Sequence, residues 1–211
     1  MKSDRPDIQL AMSYALRGRA GMAALLDLDD RLAEIVRRAS DPLVGQMRLT
    51  WWREALEALD YAPPPAEPIL RALAEHVLPC GVTGTALAAI TDGWEALLEE
   101  PFGDDALARH AVRGAALFEA MAMVTGTVDA PAAEAGRGWA LADLAQHLGD
   151  AELGARAAAL ARPHLDAARA HRCSRAGRAI GALALLARQD LDGSAPATRL
   201  ARLLRHRLTG R

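Results

Sequence analysis

The sequence predicts an all-α fold, and three features carry that prediction. Strong helix formers, Ala, Leu, Arg and Glu, dominate the composition, while aromatic residues make up only 4%. No segment alternates apolar and polar residues between turn signals, the mark of a half-buried strand. Helix stops and starts recur through the 211 residues and leave only short connections, as packed helical bundles require.

The elements follow in order. Asp4 or Arg5 opens a first helix that ends near Gly18. A second runs from about Gly21 to Ala39. Ser40-Asp41-Pro42 stops it and caps a third, with Pro at the first helical position, that runs to about Tyr61. Ala62-Pro63-Pro64-Pro65 is a rigid spacer before a short helix from Glu67 to Leu78. Thr83 caps a helix to Glu100, and Asp104 opens one to about Thr125. Asp129-Ala130-Pro131 starts the next, ending near Gly149. Asp150 caps another, which Pro163 is expected to kink or split. The last two span about Ser174–Gln189 and Pro196–Leu208. No repeat or low-complexity tail interrupts the series, so residues 1–211 read as one domain.

Composition narrows the function. Hydrophobic residues make up 51% and charged residues 25%, ordinary for a globular protein. A formal net charge of -2 argues against a nucleic-acid-binding domain, which would be clearly basic. Lys2 is the only lysine, so arginine carries nearly all the positive charge. No apolar run reaches the ~18–20 residues that cross a bilayer. The N-terminus carries acids and lacks an apolar targeting core. Cys80 and Cys173 stand far apart without a CxxC and read as reduced thiols. The expectation is a cytoplasmic protein with at most peripheral membrane association, through the stripe of Arg199, Arg202, Arg205 and His206 beside Leu200, Leu203, Leu204 and Leu208.

Polar residues on apolar faces supply the site candidates. At about 100° per residue, Leu25, Leu32, Ile35, Val36 and Ala39 form the apolar arc of the second helix. Asp29 falls inside that arc, whereas Asp30, Glu34 and Arg37 lie off it. Leu43, Val44, Met47, Trp51, Ala55 and Leu59 form the expected apolar face of the third helix, with Arg48 and Glu54 inside it. Because a short turn makes the two helices antiparallel neighbours, a buried Asp29–Arg48 pair with Glu54 nearby is expected to fix their register. The functional alternative aims Arg48 at a ligand phosphate. In the helix from Glu134 to Gly149, Leu141, Leu144, Ala145 and Leu148 make one face, and Trp139, Asp143, Gln146, His147 and Asp150 gather opposite. Asp143 and His147 stand at i, i+4, as a solvated helix pair or as two ligands of a metal that needs three or four. No HExxH, phosphate-loop, GxGxxG or GxSxG pattern occurs.

The order of segments resembles the squalene/phytoene synthase family over most of the chain. Leu25–Leu59, LLDLDDRLAEIVRRASDPLVGQMRLTWWREALEAL, is similar to the helix pair carrying that family's first acidic motif and its Trp-Arg helix. Gly81–Glu100, GVTGTALAAITDGWEALLEE, is similar to its Asp-Gly-x-x-x-Asp helix, with Asp92 and Gly93 at matching positions. Phe102–Gly126 and Gly138–Ala151 resemble the next helices, the latter carrying the second acidic motif. The resemblance implies an isoprenoid-synthase helical bundle around a central cavity and a place in terpenoid biosynthesis. Members join two prenyl diphosphates, and Mg²⁺ held by the two Asp-rich motifs neutralises the leaving diphosphate.

Against that pattern, Asp-Asp-x-x-Asp becomes Ala33-Glu34-Ile35-Val36-Arg37, and Asp-x-x-Glu-Asp becomes His147-Leu148-Gly149-Asp150-Ala151. Glu34 and Asp150 remain as metal candidates, with Asp29 one turn before the first motif and Asp143 where Asn is expected. The chain is also similar to a short, motif-degenerate branch that includes a mitochondrial complex I assembly factor. Three readings follow. The first is a scaffold that binds a prenyl or other lipid chain or a partner protein. The second is an active Mg²⁺-dependent condensing transferase acting on prenyl diphosphates. The third is a helical interaction module outside the family. Asp29, Arg48, Trp51, Glu54, Asp92, Asp143 and His147 are the candidate cavity residues.

Overall fold

A computed structural model describes residues 5–128 and 130–211; Asp4 and Asp129, expected at two helix starts, lie outside the described residues. The described residues form ten α-helices and no strand. They are α1 (Pro6–Met12), α2 (Arg19–Arg38), α3 (Pro42–Ala58), α4 (Pro68–His76), α5 (Gly84–Glu95), α6 (Asp104–Thr125), α7 (Ala132–Ala145), α8 (Ala151–Ala170), α9 (Arg178–Leu191) and α10 (Pro196–Thr209). Single 3₁₀ turns, Leu78–Cys80 and Ala96–Leu98, extend α4 and α5. The expected caps act as local chemistry requires. The carboxylate of Asp41 accepts from the Leu43 N–H, the hydroxyl of Thr83 from the Ala86 N–H, and the carboxylate of Asp150 from the Glu152 and Leu153 N–H groups. Pro163 leaves α8 as one continuous helix. The helix expected from Ser174 starts only at Arg178, after a non-helical turn.

The packing order sets where a site can form. α6 and α7 are central: α6 packs on α5 and α2, and α7 packs on α8 and α9. α3 packs chiefly on α5, α4 on α2, and α1 and α10 on α9. At the α6–α7 crossing, a Cβ on Gly114 would collide with the Gly136 backbone, and one on Gly136 with the Gly114 backbone, so only glycine allows this approach. One apolar core runs from Ile8 to Leu203. The two ends meet in an ion network: Arg5 bonds Asp7 at 2.8 Å and Asp190 at 3.2 Å, and Arg199 bonds Asp7 at 2.6 Å and also reaches Asp190. No helix among the described residues is long and apolar enough to cross a membrane.

Two expected faces need correction. In α3 the buried residues are Gly45, Leu49, Trp52 and Leu56, which lie on the side toward α5. Of the face read as apolar and inward, Leu59 is buried and Ala55 packs against the core, but the rest points outward, with Leu43 62%, Met47 66% and Trp51 48% exposed. Both stripes keep helical spacing, so periodicity alone does not say which one meets the core. In α7 the side expected to be solvated contributes Trp139 to the core, where its ring lies 5.4 Å from that of Phe118. α7 is covered by α6, α8 and α9 together, so its faces are almost all inside.

The two faces of α3 make opposite predictions under urea denaturation. Leu49→Ala is expected to cost about 2–5 kcal/mol, because a fully buried leucine leaves a cavity. Met47→Ala is expected to change stability by about 0.5 kcal/mol or less. Equal losses at the two positions would contradict this orientation of α3.

Candidate functional site

The site grows from one carboxylate that α2 buries. Asp29 sits among Leu25, Leu26, Leu28 and Leu32, all essentially inaccessible to solvent. A carboxylate there must find a countercharge or protonate. It finds Arg113 of α6, whose Nη1 donates to Asp29 Oδ1; the two side chains are 1% and 0% exposed. Trp94 of α5 adds a second donor, its Nε1–H lying 3.2 Å from the same oxygen.

Three further groups fix the guanidinium. His110, one turn earlier on α6, donates from Nδ1 to the Gly93 carbonyl at 3.0 Å. That tautomer leaves Nε2 as an acceptor, and Nη2 of Arg113 donates to it at 3.2 Å. The guanidinium also lies over the Trp94 ring, 4.4 Å from its centroid, with the Trp139 ring at 5.8 Å. Gly93 permits the approach: a Cβ there would stand 2.5 Å from Cβ of Arg113. Burial pulls the Arg113 pKa down to about 9, and the charge of Asp143 opposes that shift. The guanidinium therefore remains a cation at neutral pH.

Of the expected site residues, Asp29 lies at this centre and Asp143 acts on Arg113 through its charge, whereas the others lie elsewhere. Asp29 is inside as foreseen, yet its partner is Arg113; Arg48 is exposed on the outer side of α3, and Glu54 and Trp51 are exposed with it. The pairing expected from chain adjacency fails because α3 turns Gly45 and Leu49 inward and packs mainly on α5. Asp92 lies at the rim, where the side chain of Arg109 binds it at 2.8 Å and holds its carboxyl below the usual range. Arg109 also binds Glu99 at 2.7 Å. Asp143 is largely covered, and His147, half exposed, donates from Nδ1 to the Asp143 carbonyl at 2.7 Å.

The metal candidates are engaged elsewhere. Glu34 pairs with Arg38 at 2.9 Å and Arg31 at 3.3 Å on the surface of α2. Asp150 uses its carboxylate to cap α8. Among the described residues, no three or more His, Cys, Asp or Glu side chains come together as a metal-ligand group. This donor set does not fit an Mg²⁺ cluster, which takes carboxylate oxygens in near-octahedral order. Where the resemblance implies open space around Asp29, the interior is packed with Arg113, Trp94 and His110.

Sequence reading missed Arg113, His110 and Trp94. The signal was present in α6, where His110, Arg113, Leu117 and Met121 follow the i, i+3, i+7, i+11 spacing of a buried stripe. An arginine there needs a buried acid, and Asp29, expected from chain adjacency to pair with Arg48, is the acid it meets.

The pair predicts a double-mutant cycle. Asp29→Leu alone and Arg113→Met alone are each expected to cost about 3–5 kcal/mol in chemical denaturation, since each strands a buried charge. The double variant is expected to recover most of that loss, because an apolar pair leaves no charge unpaired. Additive losses would show that the two side chains do not act on each other.

Comparison with known proteins gives one match: the family model described as squalene/phytoene synthase covers residues 12–152, from the end of α1 to the first turn of α8. No curated protein and no solved structure matches the chain.

Proposed function

The chain belongs to the squalene/phytoene synthase family, and from that premise we propose that it acts as a binding scaffold of the isoprenoid-synthase type, without prenyl transfer. The observation that carries this reading is the Asp29–Arg113 pair. Ionising an allylic diphosphate puts several negative charges into a dry site, and divalent cations held by carboxylates stabilise them. Here the buried acid on the first-motif helix is neutralised by a side chain. Arg37, a cation, stands at an acid position of the first motif, and Glu34 and Asp150 are bound to arginines and to backbone. The family membership sets aside the reading of an unrelated helical module.

Of the two ligand classes, a lipid chain and a partner protein, the outer face of α3 favours the protein. Leu43, Val44, Met47 and Trp51 are exposed along one stripe. Exposed Trp and Met at helical spacing are typical anchors of helix-in-groove contacts. Asp41, Arg48, Glu54 and Glu57 give this face a rim of mixed charge, which suits a protein surface better than an anionic bilayer. Such a surface supports the proposed role in assembling a larger complex.

Incubation with farnesyl or geranylgeranyl diphosphate and Mg²⁺, read by pyrophosphate release, tests the proposal. The expected result is no release above the protein-free control. Turnover that disappears in Asp150→Ala would overturn it and establish a condensing transferase.

A further inference from the structure

We infer that the depression between the end of α8, the start of α9 and the last turns of α10 is a binding site for a phosphate-bearing ligand. It lies outside the stretch that the family model matches, and nothing in it depends on the Asp29 centre.

The charge of the chain is distributed unevenly. Residues 167–211 carry ten arginines against two acids, Asp190 and Asp192, although the whole chain has a net charge of -2. Both acids are already bound: Asp190 by Arg5 and Arg199, Asp192 by Arg162 and Arg188. Four of the remaining arginines, Arg169, Arg202, Arg205 and Arg211, line one depression of about 420 Å³ that no Asp or Glu side chain borders. None of the four has an ion-pair partner among the described residues; Arg202 makes only a 3.4 Å bond to the Ser194 hydroxyl. Several arginines elsewhere in the chain are answered by acids, as Arg53 is by Glu95 and Arg156 by Asp104.

The wall that brings these arginines together is built with little tolerance. A Cβ on Gly181 of α9 would stand 2.7 Å from both Cys173 Sγ and the His206 ring. His206 donates from Nε2 to the Arg178 carbonyl at 3.1 Å. Burial lowers its pKa, so the ring is neutral and the charge belongs to the arginines. The Cys173 N–H donates to the Gly210 carbonyl at 2.9 Å and fastens the end of α10 to the segment after α8. Arg172 and Arg178 donate to the Thr209 and Leu208 carbonyls, satisfying the helix end. The Thr209 hydroxyl likewise donates to the backbone oxygen of Arg211.

Like charges gathered in a concavity repel one another unless an anion joins them, and the local potential concentrates such anions. Guanidinium forks match the several oxygens of a phosphate, which can accept from more than one arginine at once. The volume falls within the range of about 300–1,000 Å³ typical of small-ligand sites. The ligand is a free phosphate or diphosphate ester, or the headgroup of a phosphate-bearing lipid. Leu200, Leu204 and Leu208 are exposed on α10, the helix that carries Arg202 and Arg205, and suit the second source.

The test titrates the full chain with inorganic phosphate and pyrophosphate at constant ionic strength, following the thermal midpoint and calorimetric heat. In parallel, the chain is sedimented with vesicles of phosphatidylcholine alone or mixed with phosphatidic acid. Saturable binding of the free anions, weakened by about tenfold or more in R202A/R205A, identifies a soluble ligand. Sedimentation only with phosphatidic acid, lost in the same variant, identifies a lipid headgroup. Both substituted side chains are exposed, so the variant is expected to fold, and its circular dichroism checks this. Arg71→Ala, at an exposed arginine on α4, is the control for general charge. No binding in either arm, or equal weakening by Arg71→Ala, overturns the inference.

Discussion

The arrangement of this bundle depends on the need of one buried carboxylate for one buried guanidinium. Asp29 lies on α2 and Arg113 on α6, eighty-four positions apart, and neither reaches water. An uncompensated charge at either place costs several kcal/mol, so any packing that separates α2 from α6 is disfavoured. The same demand recruits α5, whose Trp94 donates to the acid and covers the cation, and whose Gly93 carbonyl orients His110. Relative to apolar residues of similar volume, such a pair adds little net stability. Its effect is to select one arrangement of helices among those that hydrophobic burial alone would accept.

With that pair in place, the interior around Asp29 is used for structure, and the binding features proposed above both lie on the surface. The two surface features proposed for binding are carried by different helices. The outer stripe of α3 is apolar with a mixed-charge rim, whereas the depression beside α10 is strongly basic and small. They suit different chemistries, one a protein surface and the other a compact anion, and they do not compete for the same residues. The ion network of Arg5, Asp7, Asp190 and Arg199 ties the start of α1 to the end of α9 and the first turn of α10.

Local signals in the sequence were legible where short-range chemistry decides. Asp41, Thr83 and Asp150 cap the helices they precede, and the stops at Pro42 and Pro196 fall where expected, because caps and proline act within a few residues. The burial of Asp29 was legible too, since a single arc of leucines surrounds it. Its partner was not. Adjacency in the chain favoured Arg48, but whether a helix turns one stripe or another inward is settled by all of its neighbours, and α3 has α5 as its main one. The same limit applies to Trp139, whose face is covered by helices distant in sequence. Asp30 illustrates it from the other side: read as off the apolar arc, it is 4% exposed. The family motifs were readable by order and spacing, yet the loss of their acids said nothing of Arg113, because its role depends on a contact between α2 and α6.

The crossing of α6 and α7 at Gly114 and Gly136 has a mechanical consequence. Two helices whose backbones touch cannot slide along each other, since the next side chains, Phe118 and Ala140, would be driven into main-chain atoms. The contact behaves as a pivot, and it adjoins Arg113 in sequence. Any expansion of the bundle would therefore spare the α6–α7 axle, and it could involve α2 only at the expense of the Asp29–Arg113 pair.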